Sequence, residues 1–543
     1  MRKGRVNFIL FIVFACGLVI IGQLFYIQVM RGDYYKAMVQ GMYVSDQDSL
    51  GERGEIFFKK GESLAININF PLVYASSKEI EDKEETAQKL SEILSVDQGV
   101  LLEQLKKDSL YEVLKKKLTE EEVKKIKDLN LEGIYFGEEK GRYYPQETLA
   151  SQLAGFLDAD RKGQYGLEGY YDNTLKGKKE QKGSDLFLTV DYSIQFTAEK
   201  LLTEAAKNLK FESGEIIVME PKSGKILAMA NFPNFDPNQY SKVEDLHLFQ
   251  NSATQKIFEP GSVFKPITMA SAIDRGSITP QTKYIDYGIL RIGGSTVKNY
   301  GERTWGEKTM TQVLENSINT GAVYAEQQLG NTLFLKYVDS FGIFEPTGID
   351  IDEIYSENKE FKKGYEINFA NASFGQGIEM TPIQLVRAYS AIINNGKIVR
   401  PYIVEKIKSN EEITETKIIV KDNLIISPKA ASQVVGMLVS VASSSYSKAA
   451  QIPGYYVAGK TGTAQISYSA LGISKRGYSD KTWQSFIGFA PAYDPRFVIL
   501  VKLDNPETKT AEYSAIPVFH DLAKYIIDYY QIPSDYNLEQ PSQ

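Results

Sequence analysis

The sequence contains very little cysteine and histidine, two residues that often carry out chemistry in proteins. Cys16 is the only cysteine among 543 residues and lies in an apolar N-terminal stretch, so the chain has neither an internal disulfide nor a thiolate metal site. The only histidines are His247 and His520, and a Ser-His-Asp enzyme would have to use one of them. If a serine is activated in this protein, lysine is therefore the expected base.

The sequence also lacks a strongly basic block. The formal net charge is −7, which argues against a nucleic-acid partner because phosphate binding needs clustered Lys and Arg. Apolar residues make up 43% of the chain and charged residues 24%, as is typical of globular domains rather than of disorder. At roughly 150 residues per domain, the length predicts three or four modules.

One long apolar run occupies residues 8–27, close to the roughly 20 residues that cross a bilayer core. Three basic residues precede the run and favour a cytoplasmic N-terminus, although Arg31 and Lys36 on the far side weaken that signal. A cleaved signal peptide would have a shorter apolar core and a small-residue cleavage site, which the sequence YIQVM after the run does not offer. We therefore predict a cytoplasmic tail over residues 1–7 and a single-pass membrane anchor over residues 8–30, with the rest outside the cytoplasm.

The segment after the anchor mixes short strands with charged helices. Residues 51–65 predict a strand, a turn at Gly61 and a second strand. Residues 79–129 carry apolar residues at three- and four-residue spacing within charged sequence, which predicts helices with one solvated face. Residues 142–172 are rich in Gly, Tyr and Pro and predict loops with short strands. We place a domain boundary near Gly183.

The remainder predicts an α+β domain over residues 184–531, followed by a C-terminal tail over residues 532–543. It opens with a strand and a helix that begins at Asp191, and continues with a hairpin made of GEIIVME and KILAMA. Helical segments are expected up to about residue 395. Two further strands, SFIGFAPA and RFVILVKLD, and a closing helix complete the pattern. The order predicts an antiparallel sheet with helices on its faces.

A serine followed three residues later by lysine occurs at Ser262, Ser295, Ser356 and Ser445. Only Ser262 follows a Glu-Pro-Gly turn and precedes apolar residues at helical spacing, which predicts that it begins a helix. Lys265 then shares a helix face with Ser262, and burial would favour its neutral, basic form. The free amide at the helix start can also bind a developing oxyanion.

Two further short patterns follow Ser262 along the chain, a Ser-x-Asn and a Lys-Thr-Gly. In Ser317-Ile318-Asn319, the Ser317 hydroxyl could relay a proton and the Asn319 amide could hold a peptide carbonyl. The alternative is an ordinary helix N-cap, a position where Ser and Asn are common. Ser356-Glu357-Asn358 matches the same pattern and is predicted to be a solvated loop.

The sequence Lys460-Thr461-Gly462 is the only Lys-Thr-Gly in the chain and follows YYVAG, which predicts a strand. A glycine there would let a substrate peptide lie along the strand, the alternative being an ordinary glycine bulge. Each of the three patterns is weak alone, but the ordered set is typical of penicillin-binding proteins and β-lactamases.

With these motifs, nearly the whole chain resembles a class B penicillin-binding protein, a peptidoglycan D,D-transpeptidase. In the N-terminal half, three stretches match patterns of this family: RGEI followed by LA, then RYYP, then GQYGLEGYYD. In the C-terminal half, further matching stretches are LTVDYSIQ, NFPNFDPN, SFGQG, TPIQL and NNG. The resemblance implies an elongated pedestal domain of the dimerisation type over residues 31–183 and a transpeptidase domain of the penicillin-binding, serine β-lactamase-like fold over residues 184–531.

The resemblance also implies roles for the matching residues. Ser262 would form an acyl-enzyme with a stem peptide, with Lys265 as its base, and Ser317 and Lys460 would pass a proton to the departing D-alanine. Three residues would contact substrate: Asn319, Thr461 and Gly462. The backbone amides of Ser262 and Thr463 would form the oxyanion hole. No metal or organic cofactor is implied, and β-lactams would acylate the same serine.

Several alternatives stay open at this point. With water as acceptor the enzyme would be a D,D-carboxypeptidase. A β-lactamase is disfavoured because no E-x-x-L-N-type stretch is found, and a β-lactam sensor because only about seven residues precede the apolar run. A mainly scaffolding role in wall synthesis is compatible with the sequence. A membrane partner from the shape, elongation, division and sporulation family of glycan polymerases is implied by the resemblance alone.

Overall fold

The computed structural model describes residues 2–30, 51–178, 181–410 and 412–537. Its contacts separate into two compact units. The first comprises Met1–Glu52, Asn67–Tyr143 and Gly177–Gln181, and the second comprises Arg53–Ile66, Tyr144–Lys176 and Lys182–Gln543. The bounds given above, residues 31–183 and 184–531, stay predictions.

An apolar helix begins the chain. It extends over Arg2–Phe25 and ends in a π-helical turn, Tyr26–Met30. Among the described helices it alone is long and apolar enough to cross a membrane, and none of its apolar stretch, Leu10–Gln28, is buried against the protein. Phe14 is 73% exposed, as expected for a side chain that needs a lipid environment. The helix therefore suits membrane anchoring.

Beyond this helix, the described residues of the first unit form three helices and a set of strands. The helices are Lys83–Leu94, Gln98–Lys106 and Glu120–Leu129. Asp82 and Asp97 cap the first two by accepting hydrogen bonds from first-turn amides, and Thr119 forms a capping box with Glu122 on the third. Their apolar faces meet in one core, so the predicted helices are confirmed.

The strands of the first unit pair with the long strand Ser63–Ala75. Its partners are Glu112–Lys115, which is antiparallel with Val73 opposite Lys115, and Ile134–Tyr143. Glu112–Lys115 was not predicted from the sequence, because four residues within a charged segment are too few to show an alternating pattern.

The second unit begins with the predicted strand-turn-strand. Ile56–Phe57 pairs antiparallel with the start of the long strand, Ile56 lying opposite Ala65, and Gly61 supplies the turn with φ +99°. Residues 142–172 contain the expected short strands but also short helices. The strands are Phe156–Leu157 and Gly163–Gln164, and the helices are Ser151–Ala154, Gly166–Tyr170 and Asp172–Leu175.

Ile56–Phe57 also pairs in parallel with Asp185–Leu188, which in turn pairs antiparallel with Val404–Ser409, and that strand with Glu412–Glu415. The strand expected before Asp191 is therefore confirmed. Because Val404–Ser409 lies more than 200 residues further along the chain, no local pattern could show this pairing.

A five-stranded antiparallel sheet forms the centre of the second unit. In spatial order its strands are Ala458–Ser467, Tyr478–Ala490, Phe497–Asp504, Ser213–Met219 and Ile226–Phe232. Successive strand residues point to opposite faces, so Ile216 belongs to one apolar cluster and Ile217 to the other. Ala458–Ser467 lies at one edge, and we call it the edge strand.

Helices cover both faces of this sheet. Tyr192–Leu209 and Ala515–Tyr529 share one apolar cluster with it. Lys265–Asp274, Pro382–Ile393 and Pro428–Ser443 share the other. The predicted antiparallel sheet flanked by helices is thus confirmed, as are the helix that Asp191 caps and the closing helix.

Further α-helices of four or more residues in the described part of this unit are Ser252–Gln255, Met310–Glu315, Asn319–Leu329, Asn331–Ser340 and Glu366–Ser373. The expectation of helical segments up to about residue 395 was wrong for residues 283–309. Two antiparallel pairs lie there, Lys283–Asp286 with Gly306–Thr309 and Ile289–Ile292 with Ser295–Lys298. The turn at Gly293-Gly294, with φ of +55° and +81°, was the available signal.

Candidate active site

Ser262 lies in a 3-10 turn, Gly261–Phe264, that leads directly into the helix Lys265–Asp274. The amide of Gly261 donates to the carbonyl of Gly375 over 2.9 Å, which fastens the turn to the SFGQG loop. A Cβ on Gly375 would lie 2.1 Å from the Gly261 carbonyl oxygen, so only glycine fits there. The Ser262 side chain is partly exposed and can meet a ligand.

Lys265 reaches back to Ser262 as the i, i+3 spacing predicts. Its Nζ lies 2.9 Å from Ser262 Oγ, 2.7 Å from the Ser317 carbonyl oxygen and 2.8 Å from Asn319 Oδ1. The residue is 0% exposed. Burial and, secondarily, the neighbouring Lys460 hold the pKa of Lys265 well below its ordinary value. A neutral amine beside a serine hydroxyl is the arrangement of a general base and its nucleophile.

Ser317 stands between two amines. Its Oγ lies 3.2 Å from Lys265 Nζ and 3.0 Å from Lys460 Nζ. The backbone of Ser317 has φ +52°, a left-handed conformation that costs a non-glycine residue free energy and that is often found at functional sites. The helix N-cap is Ile318 rather than Ser317, so the alternative that Ser317 is an ordinary cap was wrong.

Lys460 projects from the edge strand and is 1% exposed. Besides Ser317 it donates to the carbonyl and the hydroxyl of Thr461, over 3.1 and 3.3 Å. No carboxylate pairs with it among the described contacts, and burial lowers the pKa of Lys460 to about 7. It can therefore hold or release a proton near neutral pH.

The edge strand runs past the Ser262 turn. A Cβ on Gly462 would lie 3.0 Å from the Pro260 carbonyl oxygen, and a Cβ on Gly261 would lie 2.9 Å from Ala464 Cβ. Thr463 lies between these two contacts, with its backbone beside the turn. Because the strand is at the edge of its sheet, half of its backbone groups point away from the neighbouring strand and can pair with an extended peptide.

The strand includes the whole Lys-Thr-Gly, as the sequence predicted, but it begins at Ala458 rather than within the preceding tyrosines. Its irregularity falls between Gln465 and Ser467, so Gly462 is not a bulge. Gly462 is instead required by close packing: besides Pro260, its Cβ would meet Ser485 Oγ at 2.5 Å.

Asn319 is held at both ends of its amide. Its Oδ1 accepts from Lys265, and its Nδ2 donates to the Lys298 carbonyl over 3.0 Å. The second hydrogen of Nδ2 remains for another acceptor. All eight residues singled out from the sequence therefore lie in this one region of the second unit.

The comparisons with known proteins agree with this geometry. Residues 214–524 match the penicillin-binding protein transpeptidase domain, and residues 48–186 match the penicillin-binding protein dimerisation domain. The chain belongs to the penicillin-binding proteins. Among its relatives is stage V sporulation protein D of Bacillus subtilis, 30% identical, with the match covering 93% of this chain and 82% of the relative. Another is the peptidoglycan D,D-transpeptidase FtsI homolog of Mesostigma viride, 28% identical over 98% of this chain and 96% of the relative.

Solved structures of penicillin-binding proteins share the fold. Penicillin-binding protein 3 of Mycobacterium tuberculosis, crystallised with aztreonam, is 27% identical and superposes with a TM-score of 0.71 over 91% of this chain and 100% of its own. An apolar N-terminal helix long enough to cross a membrane, a dimerisation domain and a transpeptidase domain are thus present in this penicillin-binding protein.

The other serine-lysine pairs of this penicillin-binding protein do not form comparable sites. Lys298 and Lys359 are exposed and paired with Glu302 and Glu357, and Lys448 is exposed. None of these three lysines is buried as Lys265 is, and burial is what favours the neutral form of an amine. Asn358 of the second Ser-x-Asn is buried and bonds both backbone groups of Glu379, so the prediction of a solvated loop was wrong for this residue.

The sequence did not reveal the residues that support the nucleophile. Tyr389 is fully buried and donates to the carbonyl of Val263, next to Ser262, over 2.7 Å. Glu259 accepts from the Gly377 amide and from the Tyr478 hydroxyl, and burial raises the pKa of Glu259 to about 7. These contacts join segments far apart in the chain, and no short pattern marks them.

In the part of the chain that the structure describes, no group of three or more His, Cys, Asp or Glu side chains is arranged to hold a metal ion. The polar groups around Ser262 are amines, hydroxyls and amides. Such a set suits acid-base and acyl chemistry rather than metal coordination.

Proposed function

We propose that this penicillin-binding protein is a serine-type peptidoglycan D,D-transpeptidase that works through an acyl-enzyme on Ser262. The observation that carries the proposal is the buried Lys265 amine, which lies 2.9 Å from Ser262 Oγ and has no carboxylate among its hydrogen-bond partners. A lysine held neutral beside a serine can take the hydroxyl proton as the serine attacks a carbonyl. The names of the relatives point to the same reaction.

In the acylation step, Ser262 Oγ attacks the carbonyl carbon of the penultimate D-alanine in a D-Ala-D-Ala terminus, and its proton passes to Lys265 Nζ. The amide bond to the terminal D-alanine then breaks, and the departing amine takes a proton from Lys460. Because Ser317 Oγ is within hydrogen-bond distance of both amines, its hydroxyl can return the proton held by Lys265 to Lys460. The product is an ester between Ser262 and the stem peptide.

In the second step, the amine of another stem peptide attacks the ester carbonyl. An amide cross-link forms, the ester bond breaks, and Ser262 regains its proton. The carbonyl oxygen is negatively charged in both tetrahedral intermediates, and we assign the backbone amides of Ser262 and Thr463 to stabilise that charge. The proximity of the edge strand to the Ser262 turn at Gly462 and Gly261 supports this assignment.

The substrate strand would lie along the outer side of the edge strand. Thr461 and Gly462 would contact its backbone, and the free hydrogen of the Asn319 amide would bind one of its carbonyls. β-Lactams, which resemble the D-Ala-D-Ala terminus, would acylate Ser262 by the same route. Neither step requires a metal or an organic cofactor.

The proposal extends to the whole chain. Residues 1–7 would be cytoplasmic, residues 8–30 would anchor the protein, and residues 31–183 would form a pedestal for the catalytic domain, residues 184–531, outside the cytoplasm. Residues 532–543 would be a tail. A membrane-bound glycan polymerase of the shape, elongation, division and sporulation family would act beside this enzyme, because newly polymerised strands are what it would cross-link.

The assignment of Ser262 is tested with a fluorescent penicillin. The full-length protein in detergent should carry one label per chain, and Ser262→Ala should carry none. The matched control is Ser356→Ala, which removes the serine of another S-x-x-K and should label like the parent. Labelling retained in Ser262→Ala would overturn the assignment.

The reaction outcome is tested separately with stem-peptide donor and acceptor strands. Cross-linked dimers that disappear in Ser262→Ala are expected. If the products were only free D-alanine and trimmed stems, water would be the acceptor and the enzyme a D,D-carboxypeptidase. If neither product formed while the serine still bound penicillin, a mainly scaffolding role would be favoured.

A further inference from the structure

We propose that Asn299, oriented by the buried carboxylate of Asp286, is a positioning residue that holds Ser317 and Asn319 in their catalytic places. The two residues lie in the segment between the nucleophile helix and the Ser-x-Asn motif, and the roles proposed above do not include them. This inference rests on the proposed function, since it concerns how the residues of the same site are held in place.

The helix that starts at Asn319 has no cap of its own. Its N-cap residue is Ile318, whose side chain cannot accept a hydrogen bond, and no side-chain cap is present. The first amides of a helix have no intrahelical partner and need one elsewhere. Ser317, the other nearby candidate, has its hydroxyl between the two lysines.

Asn299 supplies the missing acceptor from another segment. Its Oδ1 accepts from the Asn319 amide over 3.0 Å and from the Thr320 amide over 3.2 Å. The residue is 4% exposed, so water does not readily replace it. The backbone that carries the Asn319 side chain is therefore held by one buried carboxamide.

Asp286 determines which way that carboxamide faces. Both oxygens of Asp286 accept from Asn299 Nδ2, over 3.1 and 2.9 Å. Asp286 also accepts from the amides of Gly288 and Trp305 and from the hydroxyl of Thr320. A carboxylate can only accept and an amide N–H can only donate, so the Asn299 oxygen must face the helix.

The consequence for the site follows from the contacts of Lys265. Two of its acceptors, the Ser317 carbonyl and Asn319 Oδ1, belong to the segment that Asn299 fastens. If the segment shifts, the amine loses the contacts that aim it at Ser262. A misplacement of about 1 Å can reduce a rate by about a hundredfold.

The test is the rate at which the full-length protein in detergent reacts with a fluorescent penicillin, measured at saturating penicillin and divided by the folded fraction. Asn299→Asp places a carboxylate against Asp286, and Asn299→Ala removes the acceptor. Both should slow the limiting acylation rate by at least about tenfold, with Asn299→Asp the slower. The final labelling should still reach one label per folded chain. Asp286→Asn, which keeps the size of the side chain, should also slow the limiting acylation rate.

The matched control is Asn251→Ala. Asn251 is also a buried asparagine that caps a helix, Ser252–Gln255, but its side chain bonds Ala253, Asn231 and Met229 rather than the catalytic segment. Its loss should lower the melting temperature and leave the rate per folded chain unchanged. If Asn299 had a purely structural role, its variants would likewise lower the melting temperature and leave the rate per folded chain unchanged.

The possible outcomes separate the two proposals. If the parent labels at Ser262 and all three variants label at the parental rate per folded chain, the positioning role is wrong and the proposed function stands. If the parent does not label, or Ser262→Ala labels, the proposed function itself is wrong and the inference falls with it.

Discussion

The amines of Lys265 and Lys460 converge on one hydroxyl, that of Ser317, with Nζ–Oγ distances of 3.2 and 3.0 Å. Two ammonium groups this close would repel each other in a buried site, so each disfavours the charged form of its neighbour. Lys460 is one cause of the lowered pKa of Lys265. The pair is therefore suited to hold one proton between them rather than two.

The first prediction concerns the pH dependence of acylation. Burial and the neighbouring Lys460 hold the pKa of Lys265 well below its ordinary value, so the neutral base should be present at pH values where an ordinary lysine is charged, and should be lost as the pH falls through the lowered pKa. The acylation rate should fall as the pH is lowered and should level off well below the ordinary lysine pKa of about 10.4. Rates of penicillin acylation across the pH range check this. A rate that still rises tenfold per pH unit beyond pH 9 would contradict it.

The same measurement on Lys460→Met tests the coupling of the amines. Removing the neighbouring charge should raise the pKa of Lys265, so the acid limb of the profile should move to higher pH. An acid limb that does not move would show that Lys460 has no influence on the base.

The second prediction concerns stability. Burial lowers the pKa of Lys460 to about 7 in the folded protein, whereas the unfolded chain has an ordinary lysine pKa of about 10.4. Between these values the unfolded state binds more protons, so the free energy of unfolding should rise with pH across this window. The contribution of this one group is on the order of a few kcal/mol.

Thermal unfolding of the full-length protein at several pH values between 7 and 9.5 provides the measurement. Lys460→Met removes the group, so the rise in melting temperature with pH should be smaller in that variant than in the parent. Equal slopes in the two proteins would rule out the lowered pKa.

The third prediction concerns Gly462. A Cβ there would lie 2.5 Å from Ser485 Oγ and 3.0 Å from the Pro260 carbonyl oxygen, closer than atoms pack. Gly462→Ala should push the edge strand away from the Ser262 turn, lower the free energy of unfolding by about 1–3 kcal/mol and slow acylation. Chemical unfolding and penicillin labelling measure the two effects.

Gly436→Ala is its control. Gly436 lies within the helix Pro428–Ser443, and a Cβ there meets nothing within 4 Å. Alanine should stabilise that helix by about 0.5–1 kcal/mol without changing the acylation rate. If both variants behaved alike, contact with the turn would not be the reason for a glycine at 462.

The fourth prediction concerns Tyr389. Its hydroxyl donates to the buried Val263 carbonyl beside the nucleophile, over 2.7 Å. Tyr389→Phe leaves that carbonyl without this donor, which should lower the free energy of unfolding by about 1–3 kcal/mol and slow acylation. Tyr493→Phe, at a residue that is 63% exposed, should change neither quantity. Unchanged acylation in Tyr389→Phe would show that the Ser262 turn keeps its place without this bond.

Much of the site was predictable because its signals are local. Ser262 and Lys265 are three residues apart on one helical turn, and the Glu-Pro-Gly before them marks where that turn begins. The sheet was predictable for a similar reason, since strands such as Phe497–Asp504 are apolar runs buried on both faces. The two strand pairs of residues 283–309 were missed despite the Gly-Gly turn in one of them, because short half-exposed strands carry little pattern.

The sequence by itself determined the apolar N-terminal helix, the five strands of the central sheet, the helix that Asp191 caps and the closing helix, and which of four serines shares a helical turn with its lysine. Only the tertiary structure decided that Lys460 meets Ser317 across 143 residues, that Asn299 caps the helix of Asn319, and that Tyr389 supports the turn of Ser262. The reason is physical. Periodicity and capping act over a few residues, whereas the burial and like-charge proximity that lower the pKa of a lysine exist only after distant segments pack together.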